Sequence, residues 1–226
     1  MKAATLQQLL ADRAAKRPVV VATHLESGKS RLVYPDGGDD PLRDAARQAA
    51  RADKGGIVDS DEGRVFLNVF NPPLRLIVVG AVHIAQPLTR MGLLAGYDVT
   101  VIDPRGAFAS NGRFPGVALR HDWPDEAMVE LKPDRRTAVV TLTHDPKLDD
   151  PALAEALRSE AFYIGALGSN RTHGRRKERL AEQGFDADAM ARIHGPVGLD
   201  IGAKSPAEIA VSIMAEVTAA LRSGAD

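Results

Sequence analysis

The chain has 226 residues, 44% hydrophobic and 26% charged, with a formal net charge of −1. That is ordinary globular composition, long enough for one large domain or one plus a small one, and it excludes bulk electrostatic attraction to nucleic acid or an anionic membrane. No apolar run nears the roughly 20 residues of a membrane span, and the lack of cysteine excludes disulfides, thiolate metal sites, a cysteine nucleophile and a persulfide carried on this chain.

In chain order, residues 5–16 predict a short amphipathic helix with Leu6, Leu9 and Leu10 on one side. Gln, Asp and Arg interrupt this segment where a signal peptide needs an unbroken apolar core, so a cytoplasmic protein is expected. Residues 18–26 and 30–35 are β-rich and suited to pair. Asp40 and Pro41 predict a helix start, because Asp is a good N-cap and Pro suits the first helical position. Residues 56–70 read as a hairpin around an Asp/Ser/Glu/Gly turn, and Asn71-Pro72-Pro73 is a stop. The boundary is therefore expected there, with a small α+β domain over residues 1–73 and a larger one over residues 74–226.

Beyond Pro73, strands alternate with helices. Strands are predicted at 74–79, 98–102, 117–119, 137–142 and 162–164, and helices at 83–95, 125–131, 151–159 and 170–183. Several strands are continuous aliphatic runs, as when helices cover both faces of a sheet. The expected fold is α/β, a Rossmann-like doubly wound parallel sheet. Ser205, Pro206 and Glu208 form a capping box, followed by Ile209, Ile213, Val217 and Leu221 at four-residue spacing along a last helix. That apolar stripe suits a homodimer as well as a core.

Four stretches carry candidate chemistry. Gly80, Ala81, Val82, His83, Ile84 and Ala85 occupy the six positions of a G-x-G-x-x-G/A dinucleotide turn, with Val82 where the middle glycine belongs. Gly80 allows the bend out of the strand, while the Val82 side chain keeps a phosphate farther from the backbone amides. Asp103 ends the second strand, 103 − 80 = 23 residues after Gly80, near the roughly 20 expected of a ribose-binding acid. Arg105 follows within reach of a phosphate. His144 and Asp145 arrive at the carboxyl edge of the sheet as a pair able to move a proton or hydrogen-bond a polar heterocycle, while Asp150–Pro151 are expected to cap the next helix. Gly168 and Ser169 form a second glycine-bearing turn into a helix N-terminus, and Arg171, Arg175, Arg176, Lys177 and Arg179 follow on that helix. Basic groups so near a positive helix end need an anion, a carboxylate or a partner to offset them. No His, Asp or Glu spacing forms a metal site.

The segments VVGAVHIAQPL, VTVIDPR, RFP, VTLTHDPKLDDPALAEAL, FYIGALGSNRTHGRR and GPVGLDIGAKSPAEIAVSIMAEV, in that order, resemble the XdhC/CoxI family over about residues 74–222. The resemblance implies a Rossmann-like carboxy-terminal domain and a chaperone for the molybdenum cofactor. Such proteins bind molybdopterin or its cytosine dinucleotide, favour the sulfurated form and assist its insertion into the apo-subunit of a molybdoenzyme of xanthine dehydrogenase or carbon monoxide dehydrogenase type. A partner cysteine desulfurase supplies the sulfur. Carried onto this chain, Gly80, Ala81, Val82 and His83 with Gly168 and Ser169 become two anion cradles. Asp103 takes a ribose hydroxyl or pterin donor, Arg105 and Arg171 meet phosphate, and His144–Asp145 face the ring. Two departures stand out: the family turn usually reads G-A-G-H, against Val82 here, and the amino-terminal region is abbreviated. The alternatives are an NAD(P)-dependent oxidoreductase using the same turn, with His144 as acid/base, and a ligand-free interaction module docking through its arginine-rich helix.

Overall fold

A computed structural model describes residues 1–106 and 108–223, which divide into two compact units, Met1–Pro72 and Pro73–Leu221. In the first, α1 (Ala3–Ala14), β1 (Val19–His24), β2 (Ser30–Val33), α2 (Arg43–Arg51), β3 (Gly56–Ser60) and β4 (Gly63–Phe70) build an antiparallel sheet of order β2-β1-β4-β3. Alternation along β1 sends Val19 and Val21 towards Leu9 of α1. Val20 and Ala22 point the other way, to Leu42, Ala46 and Ala50. Buried Asp12 accepts from the Tyr34 hydroxyl (2.9 Å) and from Gln8 Nε2 (3.1 Å).

The expected helix start at Asp40 and Pro41 is not used. Asp40 does not open α2, which begins at Arg43. Its carboxylate accepts from the Leu42 amide (2.9 Å) and from Arg31 (2.7 and 3.2 Å), so it closes a turn ahead of the helix.

The second unit contains β5 (Arg75–Val79), α3 (Ala85–Leu94), β6 (Asp98–Ile102), β7 (Ala118–Arg120), α4 (Pro124–Leu131), β8 (Thr137–Thr141), α5 (Pro146–Arg158), β9 (Tyr163–Ala166), α6 (Asn170–Glu182), α7 (Ala187–Ala191), β10 (Ile193–His194) and α8 (Pro206–Ser223). The six strands are parallel, in the order β10-β9-β8-β5-β6-β7. Counted from β5 this is the Rossmann order 3-2-1-4-5-6 read from the β7 edge, with its switch point between β5 and β8. Leu76, Val78, Val101 and Val140 pack with residues of α3 and α8. Ile77, Val79, Ile102 and Val139 pack with residues of α4 and α5. The fold is thus α/β, a Rossmann-type parallel sheet accompanied by a small α+β unit.

The strands match the aliphatic runs closely. The short elements α7 and β10 are additions, too brief for periodicity to reveal. The capping box of α8 is present: the Glu208 carboxylate accepts from the Lys204 and Ser205 amides (2.9 and 2.8 Å), and Ser205 Oγ accepts from the Glu208 amide (3.3 Å). The start of α5 differs. It is capped by Asp145, with Pro146 at the first position, and Pro151 lies inside the helix. Asp150 is therefore no cap; its carboxylate is gripped by Arg179 (2.5 and 3.0 Å). No described helix is long and apolar enough to cross a membrane.

Candidate functional site

In an open parallel sheet, ligands gather outside the carboxyl ends of the strands at the switch point. There β5 runs into Gly80, whose φ of +105° lies where only glycine sits without strain. A Cβ on Gly80 would stand 2.5 Å from Thr143 Cγ2, so the turn after β5 lies directly against the loop after β8. The Gly80 amide donates to the Ile102 carbonyl (2.8 Å) and the Ala81 amide to Asp103 Oδ2 (2.8 Å).

Asp103 is fully buried and accepts three more bonds from Arg105: its amide (2.9 Å), Nε (2.9 Å) and Nη2 (2.8 Å). Burial works to raise the Asp103 carboxyl, but the Arg105 guanidinium and the two amides outweigh it and hold the group below the ordinary aspartate range. The sequence offered Asp103 to a ribose and Arg105 to a phosphate. In the structure each satisfies the other, and together they tie the Gly80–Ala81 turn to the end of β6. The amides of Val82, His83 and Ile84 have no acceptor among the described residues. Val82 is half-buried against the core and His83 is exposed, and α3 begins only at Ala85.

The loop after β8 is organised by a residue that no sequence motif singles out. Asp149, on the first turns of α5, accepts from Thr143 Oγ1 (2.7 Å), the Thr143 amide (3.2 Å) and the His144 amide (3.0 Å). These bonds hold His144 at φ +62° with its ring exposed. Asp145 does not pair with that ring; its Oδ1 accepts from the Lys147 amide (3.0 Å) as the cap of α5. Burial pushes the Asp149 carboxyl above its ordinary value, against the pull of its Thr143 bonds and of Arg176.

Across from Asp149, Gly168 and Ser169 lead into α6, and Ser169 Oγ caps that helix by accepting from the Thr172 amide (3.2 Å). Arg176 projects from α6 with 2% of its side chain exposed. Its Nη2 donates to the Leu167 carbonyl (2.8 Å) and lies 4.0 Å from Asp149 Oδ2. Nε and Nη1 are buried without an acceptor among the described residues, and burial draws the guanidinium below its ordinary value. A buried donor left without an acceptor costs about 1–3 kcal/mol, more for a charged group.

The first turns of α5 and α6 enclose a cleft of about 420 Å³. Of the expected residues it brings together His144 and Arg171, beside Asp149, Arg175 and Arg176. Gly80–His83, Asp103, Arg105, Asp145, Gly168 and Ser169 do not line it. Asp149 and Arg176 are its least exposed members. Sequence spacing could have hinted at the first, since a carboxylate four residues after an Asp-Pro cap can reach back to preceding amides. The Arg176 contact has no such signal, because the two residues are 176 − 149 = 27 positions apart. Elsewhere, His194, isolated in the sequence, meets Glu216 at 3.1 Å, and Glu216 also accepts from the Tyr163 hydroxyl (2.5 Å). No group of three His, Asp or Glu among the described residues could hold a metal ion.

Comparison with known proteins fits this architecture. Residues 76–217 match the family described as the XdhC Rossmann domain. A protein of Escherichia coli (strain K12) named molybdenum cofactor insertion chaperone PaoD is 32% identical over 148 residues, covering 66% of this chain and 40% of its own length. A protein of Bacillus subtilis (strain 168), named as a probable subunit of xanthine dehydrogenase, is 33% identical over 155 residues, covering 68% of this chain and 44% of its own length. The uncharacterized protein YqeB of E. coli (strain K12) is 31% identical over 157 residues, covering 68% and 28%. The chain thus spans less than half the length of these relatives. A crystal structure of a protein described as a xanthine dehydrogenase from Bacillus halodurans superposes with a TM-score of 0.71 at 24% identity, over 96% of this chain and 64% of that one; this shows a shared fold. The chain belongs to the XdhC family.

Proposed function

We propose that this chain is an accessory protein for the molybdenum cofactor. It binds the cofactor at the carboxyl edge of its parallel sheet, favours the sulfurated form and assists insertion into the apo-subunit of a xanthine dehydrogenase or carbon monoxide dehydrogenase type enzyme. The observation that carries the reading is the cleft holding His144 and Arg171 together, in a chain one-third identical to a protein named as a molybdenum cofactor insertion chaperone. At about 420 Å³ the cleft lies in the size range of small-molecule sites.

The donor set fits the organic part of the cofactor. Arginines answer a phosphate, and the exposed His144 ring can hydrogen-bond a polar heterocycle. When bound, the cofactor supplies the redox chemistry of the enzyme that receives it; this chain holds and orients the group and shields it from water. Without a cysteine it relies on a partner cysteine desulfurase as the sulfur source. Met1–Pro72 serve as the counterpart of the family's amino-terminal domain.

An NAD(P)-dependent oxidoreductase is the weaker reading. Asp103, which would take the ribose, already accepts four bonds from Ala81 and Arg105. The test is incubation of the full chain with cofactor released from a molybdoenzyme, followed by gel filtration. Co-elution of molybdenum and pterin fluorescence with the protein is expected. Its absence, with micromolar NADH binding and turnover instead, would replace the carrier reading with the oxidoreductase one.

A further inference from the structure

We propose that the cleft between α5 and α6 is an oxyanion seat for a phosphomonoester or pyrophosphate, centred on Arg176, and that the fingerprint turn at Gly80 is not. The proposal rests on the carrier reading for the identity of the larger ligand, whose phosphate end it assigns to this cleft. The seat itself stands on charge and hydrogen bonding.

Four arginines, Arg171, Arg175, Arg176 and Arg179, line the cleft against two aspartates, Asp149 and Asp150. Both aspartates are engaged. Arg179 holds Asp150 through two nitrogens, and Asp149 is turned to Thr143 and His144, with Arg176 only at 4.0 Å. Arg171 and Arg175 have no ion-pair partner among the described residues. The wall also contains the N-terminal turns of two helices, whose dipoles favour an anion; the amides of the first turn of α5 are taken by Asp145, whereas those of Asn170 and Arg171 on α6 have no acceptor among the described residues. Exposed arginines on a helix would by themselves mean only a solvated face.

Arg176 separates the two cases. It is almost fully buried, yet Nε and Nη1 lack an acceptor where water does not reach. A planar guanidinium with idle donors beside two exposed ones suits the several acceptor oxygens of a phosphate. At the Gly80 turn, by contrast, the first two amides and the nearby arginine are already spent within the protein.

The test is calorimetric titration of the full chain with inorganic pyrophosphate and inorganic phosphate at low ionic strength. One site is expected, tighter for pyrophosphate. The exposed pair Arg171→Gln/Arg175→Gln should weaken it at least tenfold without unfolding the chain. Arg176→Gln should abolish binding, with circular dichroism reporting whether that variant folds. Lys177→Gln, exposed on α6 but outside the cleft, should change affinity less than twofold. No binding, equal losses for Lys177→Gln and the double variant, or undiminished binding in the double variant would each overturn the seat. Pyrophosphate binding removed by the double variant supports the seat even if released cofactor does not co-elute. Cofactor co-elution alongside undiminished pyrophosphate binding in the double variant overturns the seat and leaves the carrier reading standing.

Discussion

Two glycine-bearing turns feed helices from the same edge of one parallel sheet, and they are built on opposite plans. The turn after β5 has the sequence of a nucleotide site, but its leading groups face inward. Gly80 is pressed on Thr143, Ala81 donates to Asp103, and Asp103 is closed off by Arg105. The turn after β9 carries no fingerprint, yet it precedes a helix with an excess of cationic donors, one of them buried and idle. A glycine motif reports that the backbone must bend and approach something closely. It does not report what is approached; at Gly80 the neighbour is the adjacent loop.

The largest effect is expected where that approach is tightest. Gly80→Ala forces an L residue to φ +105° and places its Cβ 2.5 Å from Thr143 Cγ2. Backbone strain and overpacking together should cost about 3 kcal/mol. Urea denaturation would read this as a lower midpoint at unchanged slope. A cost below about 1 kcal/mol would mean that the β8 loop moves aside easily and that the switch point is open.

The next two substitutions set the carboxylates of the two turns against each other. Asp103→Asn and Asp149→Asn should each cost about 2 kcal/mol near pH 7, since each leaves buried donors without their acceptor. Their pH dependences should oppose. Asp103 is held below its ordinary value, so its stabilisation is full above the unfolded value of about 3.9 and is lost as pH falls through the folded value. The deficit of Asp103→Asn therefore shrinks on acidification. Asp149 is raised by burial, so the folded chain binds its proton more tightly than the unfolded chain. Native stability falls as pH rises from about 3.9 through that raised value, and the deficit of Asp149→Asn grows on acidification. Denaturation series from about pH 2 to 7 separate the signs. Parallel curves would contradict the opposite plans of the two turns.

Much of the second unit was legible because its strands, buried on both faces, are written as unbroken aliphatic runs such as Leu76–Val79 and Ala138–Val140. Local chemistry was less reliable where it offered two equivalent choices. Asp145–Pro146 and Asp150–Pro151 are both good helix starts, and the second was the one expected. The structure uses the first, because Asp149 and Asp150 are then free to reach the β8 loop and α6. The seat at Arg176 was hidden for another reason. Sequence displays α6 as a run of basic residues, and only packing distinguishes the buried Arg176 from Arg175 and Lys177 on the same helix.

A smaller effect is expected at the capped turn. Ser169→Ala removes the acceptor for the Thr172 amide and should cost about 1 kcal/mol in thermal or urea unfolding. It should also weaken pyrophosphate two- to fivefold, because fraying of the first turn loosens Arg171 and Thr172 at the mouth of the cleft. A loss of stability with affinity unchanged would put the seat deeper, at Arg176 alone.

The smallest effect on binding is expected at the position that most sharply breaks the fingerprint. Val82→Gly restores the middle glycine of the turn and removes a side chain that packs against the core. If the turn were a phosphate cradle, that change should tighten pyrophosphate severalfold. The Ala81 amide is already committed to Asp103 and Arg105 is held by the same carboxylate, so removing the side chain leaves an anion only the Val82, His83 and Ile84 amides, with no arginine free to join them. Affinity should stay within twofold of the parent. The cost should appear in stability, at about 1 kcal/mol, from the packing that the half-buried valine gives to the core beneath it. A clear gain in pyrophosphate affinity would reverse the comparison, making the turn after β5 the anion site and the arginines of α6 its periphery.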